Sequence, residues 1–355
     1  MHARIRPTSG APSLQLQACT PVIGAKHHSA YTTWGFVGYL AAVALAVALS
    51  VSWHLSLRAR LIGLLVPPAA FVITVAVVQL RLGRARIVFY QGAGAAMLAV
   101  LLTATALRAP VVRLLDLTVL GIGTFLVFGR LGCHAVACCH GRPARHGVVY
   151  GTAHVQAGLW ERWQGRPLWP VQLAESAASL SLVVVALAVP GPSGQAAAIY
   201  ASGYALVRFF LELVRGDHDR AFTLGLSEAQ WSSAAAAALA AALWPRLWTG
   251  AAAAIVAVAA LVLILSRHGR ELLVPGQLRE LHERCSTLGE AQATRTNLGV
   301  DITRHRLADG RTHWVLSSQH PGWTAKLRRT LAQRLWPEAT VREGKSAGVM
   351  HVIWR

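Results

Sequence analysis

Three charged residues lie at helical spacing inside an apolar stretch, in the segment Arg208-Phe-Phe-Leu-Glu212-Leu-Val-Arg215. Steps of four and three residues place Arg208, Glu212 and Arg215 on one face of a helix, opposite Phe, Leu and Val. A charge inside a membrane helix costs several kcal/mol, so such residues usually pair and face a cavity. Arg215 alone could instead extend its charged group to the membrane surface. We interpret the trio as functional.

Two further charged positions lie at the ends of apolar runs. Arg130 stands between Gly129 and Leu131-Gly132, where glycine lets backbone and guanidinium approach a bulky ligand closely, although an arginine at a helix end could simply reach the membrane surface. Pro170 begins another run, in which Gln172 and Glu175 share one helix face. We expect Glu175 to pair with an arginine, either Arg130 or Arg208, in a site or in a purely structural ion pair.

The segment that follows Gly132 contains Cys133, His134, Cys138, Cys139 and His140. Their spacing matches no standard zinc-ligand set, and adjacent cysteines rarely bind one ion tetrahedrally. We therefore expect no metal and no cofactor here, and interpret the cysteines as small, polarisable packing residues in a tight loop.

The composition is that of a membrane protein. Hydrophobic residues make up 54% of the 355 residues and charged residues only 14%, which is too little charge to keep that much apolar surface in water. The net charge is +19. We expect this positive charge to attract the protein to anionic lipid headgroups and to orient it in the bilayer. No recognisable nucleic-acid-binding module accompanies it, so nucleic acid is not an expected partner.

Eight apolar runs approach the roughly 20 residues needed to span a membrane. The predicted fold class is an all-α polytopic membrane bundle with seven, possibly eight, transmembrane helices, a small extramembrane head and a C-terminal soluble α+β tail. The runs cover residues 31–53, 62–80, 87–107, 111–128, 170–189, 196–214, 228–244 and 250–266.

The predicted domains are a disordered leader (1–30), a transmembrane domain (31–266) with the polar head region 132–169, and a polar tail domain (267–355). In the tail, Ala308-Asp309-Gly310-Arg311 predicts a hairpin between strands at 300–307 and 312–317. A helix is predicted over 324–335 and a closing strand over 349–354.

Four motifs in order resemble the prolipoprotein diacylglyceryl transferase family. They are GRLGCHAVACCHG at 129–141, WPVQLAE at 169–175, RFFLELVR at 208–215 and GLSEAQ at 225–230. They are similar to the family's GRxGN signature with its later glutamate and glycine, and to its HPxQLYE, RFxxEFxR and GLSxxQ motifs. The resemblance covers roughly residues 31–245.

The resemblance implies a multi-pass protein of the bacterial plasma (inner) membrane that moves a diacylglyceryl group from phosphatidylglycerol to the lipobox cysteine of a preprolipoprotein and releases glycerol phosphate. Its partners would be phosphatidylglycerol, the preprolipoprotein signal peptide and the membrane. The arginines would hold the lipid phosphate and the leaving group, and Glu212 would fix them. The candidate catalytic residues are Arg130, Arg208, Glu212 and His140, and the candidate substrate-binding residues are Gln91, Gly132, Gly141, Gln172, Glu175 and Arg215.

The sequence departs from the family at residues that bear on catalysis. Gln91 stands where the family has a histidine, and glutamine cannot act as a base at neutral pH. Cys133 replaces the signature asparagine and Cys138 the following glutamate. His134 or His140 could supply a base near pH 7.

These departures leave two other functions open. One is a non-catalytic, anionic-lipid-binding membrane protein of the same fold. The other is a different membrane activity, such as a transporter or a thiol redox protein that uses Cys133, Cys138 and Cys139.

Overall fold

The computed structural model describes residues 30–82, 89–217, 220–267, 270–346 and 348–354, and three two-residue strands that precede them. These strands are β1 (Leu14–Gln15), β2 (Val22–Ile23) and β3 (Lys26–His27). The rest of the predicted leader, 1–30, lies outside the described residues.

Each of the eight apolar runs forms a helix. The helices are α1 (Ala30–Ser52), α2 (Leu57–Leu82), α3 (Phe89–Ala106), α4 (Val111–Ala135), α6 (Val171–Ala188), α7 (Gln195–Val214), α8 (Glu228–Leu243) and α9 (Leu247–Arg267). Among the described residues, six of them are long and apolar enough to cross a membrane. The apolar stretch Tyr90–Ala106 of α3 is shorter, and α8 has 16 residues. The protein is thus mostly helical with six candidate spans, and the predicted count of seven or eight is not confirmed.

Helix α4 packs against α1, α3, α6 and α7. Its close approach to α7 depends on Gly123, where a Cβ atom would lie 2.4 Å from the ring of Tyr200. Two hydroxyls of α6 donate to α4 carbonyl oxygens: Ser176 Oγ to Val127 at 2.8 Å and Ser179 Oγ to Gly123 at 2.9 Å. Close small-residue packing and hydroxyl hydrogen bonds are what associate helices in lipid, where the hydrophobic effect between helices is absent.

The first turn of α7 is fixed to α4 by a buried carboxylate. The two oxygens of Asp116 accept hydrogen bonds from the backbone N–H groups of Gly194 at 2.7 Å and Ala197 at 2.8 Å. Negative charge is favourable at this end of a helix, and otherwise unsatisfied N–H groups gain a partner. Gly194 has φ of 96°, which favours glycine. This contact sets the position of every later turn of α7.

A small substructure lies between α4 and α6. It contains β4 (Pro143–Val149), α5 (Thr152–Gln156), a 3₁₀ turn (Glu161–Trp163) and β5 (Pro167–Leu168). Strand β4 pairs with β5 antiparallel and with β1 in parallel. The substructure has its own apolar core around Val148, Tyr150 and Leu168. It corresponds to the predicted head region 132–169, although α4 continues to Ala135; its place outside the membrane stays a prediction.

The chain forms two compact units, one from residues 1–216 and 229–257 and one from 217–228 and 258–355. The predicted boundary at residue 267 stays a prediction. The second unit contains β6 (Phe222–Thr223), β7 (Leu226–Ser227), a 3₁₀ turn (Glu271–Leu273), α10 (Pro275–Thr287), β8 (Ala293–Arg295), β9 (Val300–Arg306), β10 (Thr312–Ser318), α11 (Ala325–Leu335), β11 (Thr340–Glu343) and β12 (Val349–Trp354). The predicted hairpin, helix and closing strand are therefore confirmed.

Five strands of the second unit form an antiparallel sheet in the order β11-β12-β10-β9-β8. Alternate residues of its strands, among them Ile302, Leu316 and Met350, are buried in one apolar core. Leu327 and Leu331, one turn apart on α11, join the same core. Buried residues recur every two positions along the strands and every four positions along α11. This pattern is typical of one face of a helix packed on one face of a sheet.

We expect Leu316→Ala to destabilise the second unit by about 2–5 kcal/mol, because it removes buried methyl groups and leaves a cavity. Cys285 is buried in the same core, so the labelling rate of its thiol, followed by peptide mass spectrometry in the full-length protein during denaturant titration, reports unfolding. Val341→Ala is the control, since Val341 is exposed. Equal labelling midpoints for Leu316→Ala and the unaltered chain would contradict this account of the core.

Candidate functional site

The charged trio of α7 forms one ion-pair group. Arg208 Nη1 lies 2.5 Å from Glu212 Oε2, and Arg215 Nη1 lies 3.3 Å from the same oxygen. Helix α7 ends at Val214, and Arg215 continues in an extended conformation. The predicted convergence of the three side chains is confirmed, although Arg215 lies just beyond the helix.

Glu175 of α6 joins this group to α4. Its Oε1 atom lies 2.9 Å from Arg130 Nη2 and 3.5 Å from Arg208 Nε, and it accepts a 2.6 Å hydrogen bond from Tyr204 Oη. The expected pairing of Glu175 with an arginine is confirmed, and it involves both candidates. Three helices therefore bring one charged cluster together.

The five charged side chains are between 1% and 7% exposed. An isolated buried charge is very costly, so a cluster at this depth is stable only if its members are paired and hydrogen-bonded. The pairing leaves donors over. In the part of the chain that the structure describes, Arg130 Nε has no hydrogen-bond partner, and Arg208 Nε makes the 3.5 Å ion-pair contact with Glu175 but no hydrogen bond. A pair of buried guanidinium groups that holds one carboxylate and keeps an unused donor can bind a further anion.

Tyrosines line the cluster, and the sequence analysis did not identify them. Tyr200 and Tyr204 stack with ring centroids 5.6 Å apart, and Tyr90 of α3 lies 6.3 Å from Tyr204. Tyr90 Oη is 2.8 Å from Ser233 Oγ of α8. Tyr200, Tyr204 and Arg208 follow one another at four-residue steps, which is the signal that could have placed both tyrosines on the arginine's face of α7.

Gln91 is not part of this arrangement. Its side chain is exposed, while the neighbouring Tyr90 is turned towards Tyr204 and Ser233. Successive residues on a helix point about 100° apart, so α3 presents one of the two to its neighbours. The interpretation of Gln91 as a substrate-binding residue is not tested by this position and stays a prediction.

His140 lies on the loop beyond α4 and is buried. Its Nδ1 is 2.8 Å from the carbonyl oxygen of Gly141. Because a carbonyl oxygen only accepts, Nδ1 carries the proton, and in the neutral ring Nε2 then has the lone pair. The backbone oxygen of His140 accepts a 2.9 Å hydrogen bond from the N–H of Gly216, the residue after Arg215.

The two candidate glycines allow close packing of backbone. A Cβ atom at Gly132 would lie 3.2 Å from the carbonyl oxygen of Tyr31 in α1. At Gly141 it would lie 2.4 Å from the carbonyl oxygen of Trp169, to which Gly141 N–H donates at 3.0 Å. Gly141 also forms an isolated antiparallel bridge with Arg215. The nearest atoms at both glycines belong to the protein. The absence of a side chain at these positions is therefore explained by close packing of the backbone, without a contact to a ligand.

Gln172 connects the loop to α6. Its Nε2 donates to the backbone oxygen of Cys138 at 2.7 Å, and its side chain is buried. Among the described residues, its Oε1 atom has no hydrogen-bond partner. Gln172 lies one turn before Glu175 on the same helix face. Its Oε1 atom is therefore a buried hydrogen-bond acceptor close to the arginine cluster.

Three thiols converge beside Arg130. The Sγ atoms of Cys133, Cys138 and Cys139 lie within 4.8 Å of one another, and Arg130 Nη1 is 3.8 Å from Cys133 Sγ. The spacing argument against a shared site fails because Ala137 and Cys139 have positive φ angles, 59° and 55°, which fold the loop back on α4. The expectation of no metal is not tested by this arrangement.

The thiols also differ in acidity. The pKa of Cys139 lies well below its usual value because the thiols of Cys133 and Cys138 hydrogen-bond to it, and the positive potential of Arg215 and Arg130 adds to this effect. The pKa of Cys138 is raised because its hydrogen bonds to Cys133 and Cys139 favour the protonated form.

The matches to known proteins coincide with this cluster. A family model described as prolipoprotein diacylglyceryl transferase matches residues 59–246, more than half of the chain. A protein of Clostridium perfringens (strain 13 / Type A), named phosphatidylglycerol–prolipoprotein diacylglyceryl transferase 2, is 29% identical over 112 residues, which are 30% of this chain and 41% of that protein. The match thus spans less than half the length of this relative. All five charged residues of the cluster lie inside the region that matches the family model.

We expect Glu175→Gln to destabilise the bundle by about 3–5 kcal/mol, because two buried guanidinium groups lose their shared carboxylate while the side-chain shape is kept. The midpoint of thermal unfolding of the purified protein in detergent measures this. Glu161→Gln is the control at an exposed position, with an expected change within about 0.5 kcal/mol. If the two variants unfold alike, Glu175 does not hold the cluster together.

Proposed function

The chain belongs to the prolipoprotein diacylglyceryl transferase family, and we propose that it transfers a diacylglyceryl group from phosphatidylglycerol to the lipobox cysteine of a preprolipoprotein. Its apolar helices and its family make it a multi-pass membrane protein. We place it in the bacterial plasma (inner) membrane, with phosphatidylglycerol and the preprolipoprotein signal peptide as its substrates.

The observation that carries the proposal is the pair Arg130 and Arg208, buried on one carboxylate. Among the described residues Arg130 Nε has no hydrogen-bond partner, and Arg208 Nε lies 3.5 Å from Glu175, beyond a good hydrogen bond. A lipid phosphodiester carries one negative charge and two terminal oxygens, which match planar guanidinium donors. Glu175 and Glu212 offset much of the guanidinium charge, so the free protein tolerates the arginines before lipid binds.

In the proposed reaction, the sulfur of the lipobox cysteine attacks the lipid glycerol carbon that bears the phosphate ester. A C–S bond forms, the C–O bond breaks, and glycerol phosphate leaves with the bonding electrons. The thiol proton passes to a base. Since the phosphate gains negative charge as the bond breaks, guanidinium donors already in place stabilise the transition state more than the bound lipid.

We propose His140 as that base, because Gln91 cannot serve and is exposed. The Nδ1 hydrogen bond to the Gly141 carbonyl leaves the lone pair on Nε2 of the neutral ring. The hydrogen bond from Gly216 N–H to the His140 oxygen ties this residue to the end of α7, beside Arg215.

The other candidates act by positioning. Glu212 holds Arg208 and Arg215 in one orientation. Gln172 offers a buried carbonyl oxygen, Oε1, that can accept a hydrogen bond from a headgroup hydroxyl. Phosphatidylglycerol has such hydroxyls and no cation in its headgroup, and both features favour it over zwitterionic lipids at this site.

We expect Arg208→Ala to lower transfer by about 10²–10³-fold, the usual loss when one donor to a developing oxyanion is removed. The assay mixes full-length protein, phosphatidylglycerol vesicles and a lipobox peptide, and detects the lipidated peptide by mass spectrometry. Arg246→Ala, at an exposed position, should keep full activity. Thermal unfolding of both variants shows whether loss of activity is loss of fold.

The same assay tests the donor and the competing functions. Vesicles of phosphatidylcholine alone should support no transfer. Tight binding of phosphatidylglycerol with no lipidated peptide would replace the proposed transferase by a lipid-binding protein. Unchanged activity of Arg208→Ala would remove the arginine cluster from the mechanism.

We expect His140→Gln to lower transfer by about 10²–10⁴-fold, the usual contribution of a general base. Protonation removes the acceptor nitrogen of an imidazole, so activity of the unaltered protein should fall in acid, and the residual activity of the variant should lose this dependence. His146→Gln is the matched control, because His146 is exposed on β4. An identical acid limb in His140→Gln and the unaltered protein would assign the base to another group.

A further inference from the structure

The three thiols at the end of α4 form a donor set that the proposed transfer does not use. Cys133 belongs to the last turn of α4, and Cys138 and Cys139 to the loop that follows. Their Sγ atoms all lie within 4.8 Å of one another, and Cys133 is buried while the other two are partly exposed. Within the described residues this is the one group of three or more histidine, cysteine or carboxylate ligand atoms that could share an ion.

The loop holds this convergence by contacts outside the thiols. Ala137 and Cys139 adopt left-handed conformations, which residues with a Cβ atom rarely do unless their surroundings impose it. Gln172 Nε2 fixes the backbone oxygen of Cys138 at 2.7 Å. The N–H of Arg142 donates to the oxygen of Val214 at 2.9 Å, so the far end of the loop is anchored to α7. The sulfurs are thus brought together by the fold of the chain itself.

Sulfur ligands select the kind of ion. Thiolates favour Cu⁺ and Zn²⁺ over hard cations such as Mg²⁺ or Ca²⁺. A metal–sulfur bond of about 2.3 Å in a trigonal site separates the sulfurs by about 4 Å, which lies inside the observed limit. Structural zinc is almost always four-coordinate, and the described residues supply three ligands here. Three sulfurs can complete a trigonal site for Cu⁺, whereas zinc would need a fourth ligand.

The surroundings suit the charge of such a site. Three thiolates and one Cu⁺ ion carry a net charge of −2, and buried charge must be offset nearby. The guanidinium of Arg130 lies 3.8 Å from Cys133 Sγ and supplies positive charge at the cluster's edge. Each thiol that binds as a thiolate releases its proton to solvent.

We propose that Cys133, Cys138 and Cys139 bind one thiophilic d¹⁰ metal ion, with Cu⁺ preferred to Zn²⁺. The ion would tie the end of α4 to the loop that carries His140 and Gly141. The three sulfur ligands take no part in the proposed lipid transfer, so metal binding can be tested without it. The two sites share the positive charge of Arg130.

The test loads the full-length protein, purified in detergent without oxygen and with a thiol-free reductant, with Cu⁺ or Zn²⁺ alone. Metal per chain is measured after desalting. We expect one Cu⁺ per chain, three copper–sulfur distances in X-ray absorption, and at least tenfold less copper in the variant Cys133→Ala/Cys138→Ala/Cys139→Ala. Cys285→Ala should bind as the unaltered protein does, since Cys285 is buried in the other unit.

A second readout does not depend on the variants folding. Bound Cu⁺ should slow alkylation of Cys133, Cys138 and Cys139 by at least tenfold in the unaltered chain and leave the Cys285 rate unchanged. Less than 0.1 metal ion per chain, equal copper in the triple variant, or a Cys138–Cys139 disulfide that persists under the reductant would each overturn the proposal. One Zn²⁺ per chain with no Cu⁺ bound would overturn the preference for copper.

Discussion

A carboxylate buried between two guanidinium groups from different helices is the interaction on which the first unit depends. Glu175 of α6 contacts Arg130 of α4 and Arg208 of α7, so the three helices cannot slide or rotate separately without exposing a charge to hydrocarbon. The cost of such an error is much larger than that of a lost apolar contact in lipid, where helix packing itself provides only modest energy. Register between the helices is therefore set by charge.

The rest of the bundle is compatible with that register. Gly123 lets α7 approach α4, Ser176 and Ser179 bond α6 to α4, and Asp116 fixes the first turn of α7. These contacts lie on the helices that carry the charged cluster, from Ser176, directly beside Glu175, to Asp116, about four turns before Arg130. They fix the guanidinium groups in the free protein, which is the condition that the proposed transfer would need for electrostatic catalysis without reorganisation.

Local periodicity explains why much of this was predictable from sequence. The spacing of Arg208, Glu212 and Arg215 defines one helix face by geometry alone, and Glu175 in an apolar helix requires a cationic partner. Helix count is harder, because the described apolar stretch of α3 and the 16 residues of α8 fall just short of the length that spans a membrane. Tyr90 was not predicted because a motif position gives a residue number and no helix rotation, and Tyr90, one residue before Gln91, is the side chain turned towards the cluster. The three cysteines were identified in the sequence, but their convergence was not predicted, because left-handed residues at 137 and 139 reverse the loop and non-glycine residues give no sequence signal for that conformation.

The loop from Cys133 to Gly141 connects the end of α4, which carries Arg130, to the chain segment that carries Arg215. It begins one turn after Arg130, and its far end is bonded through His140 and Gly141 to the chain at Arg215 and Gly216. The loop therefore links the chain at Arg130, which contacts Glu175, to the chain at Arg215, which contacts Glu212. Cys133 and Cys138 place two soft sulfur donors in this loop. Because thiols make only weak hydrogen bonds, the conformation of the loop depends on its backbone contacts and on the hydrogen bond from Gln172 to Cys138.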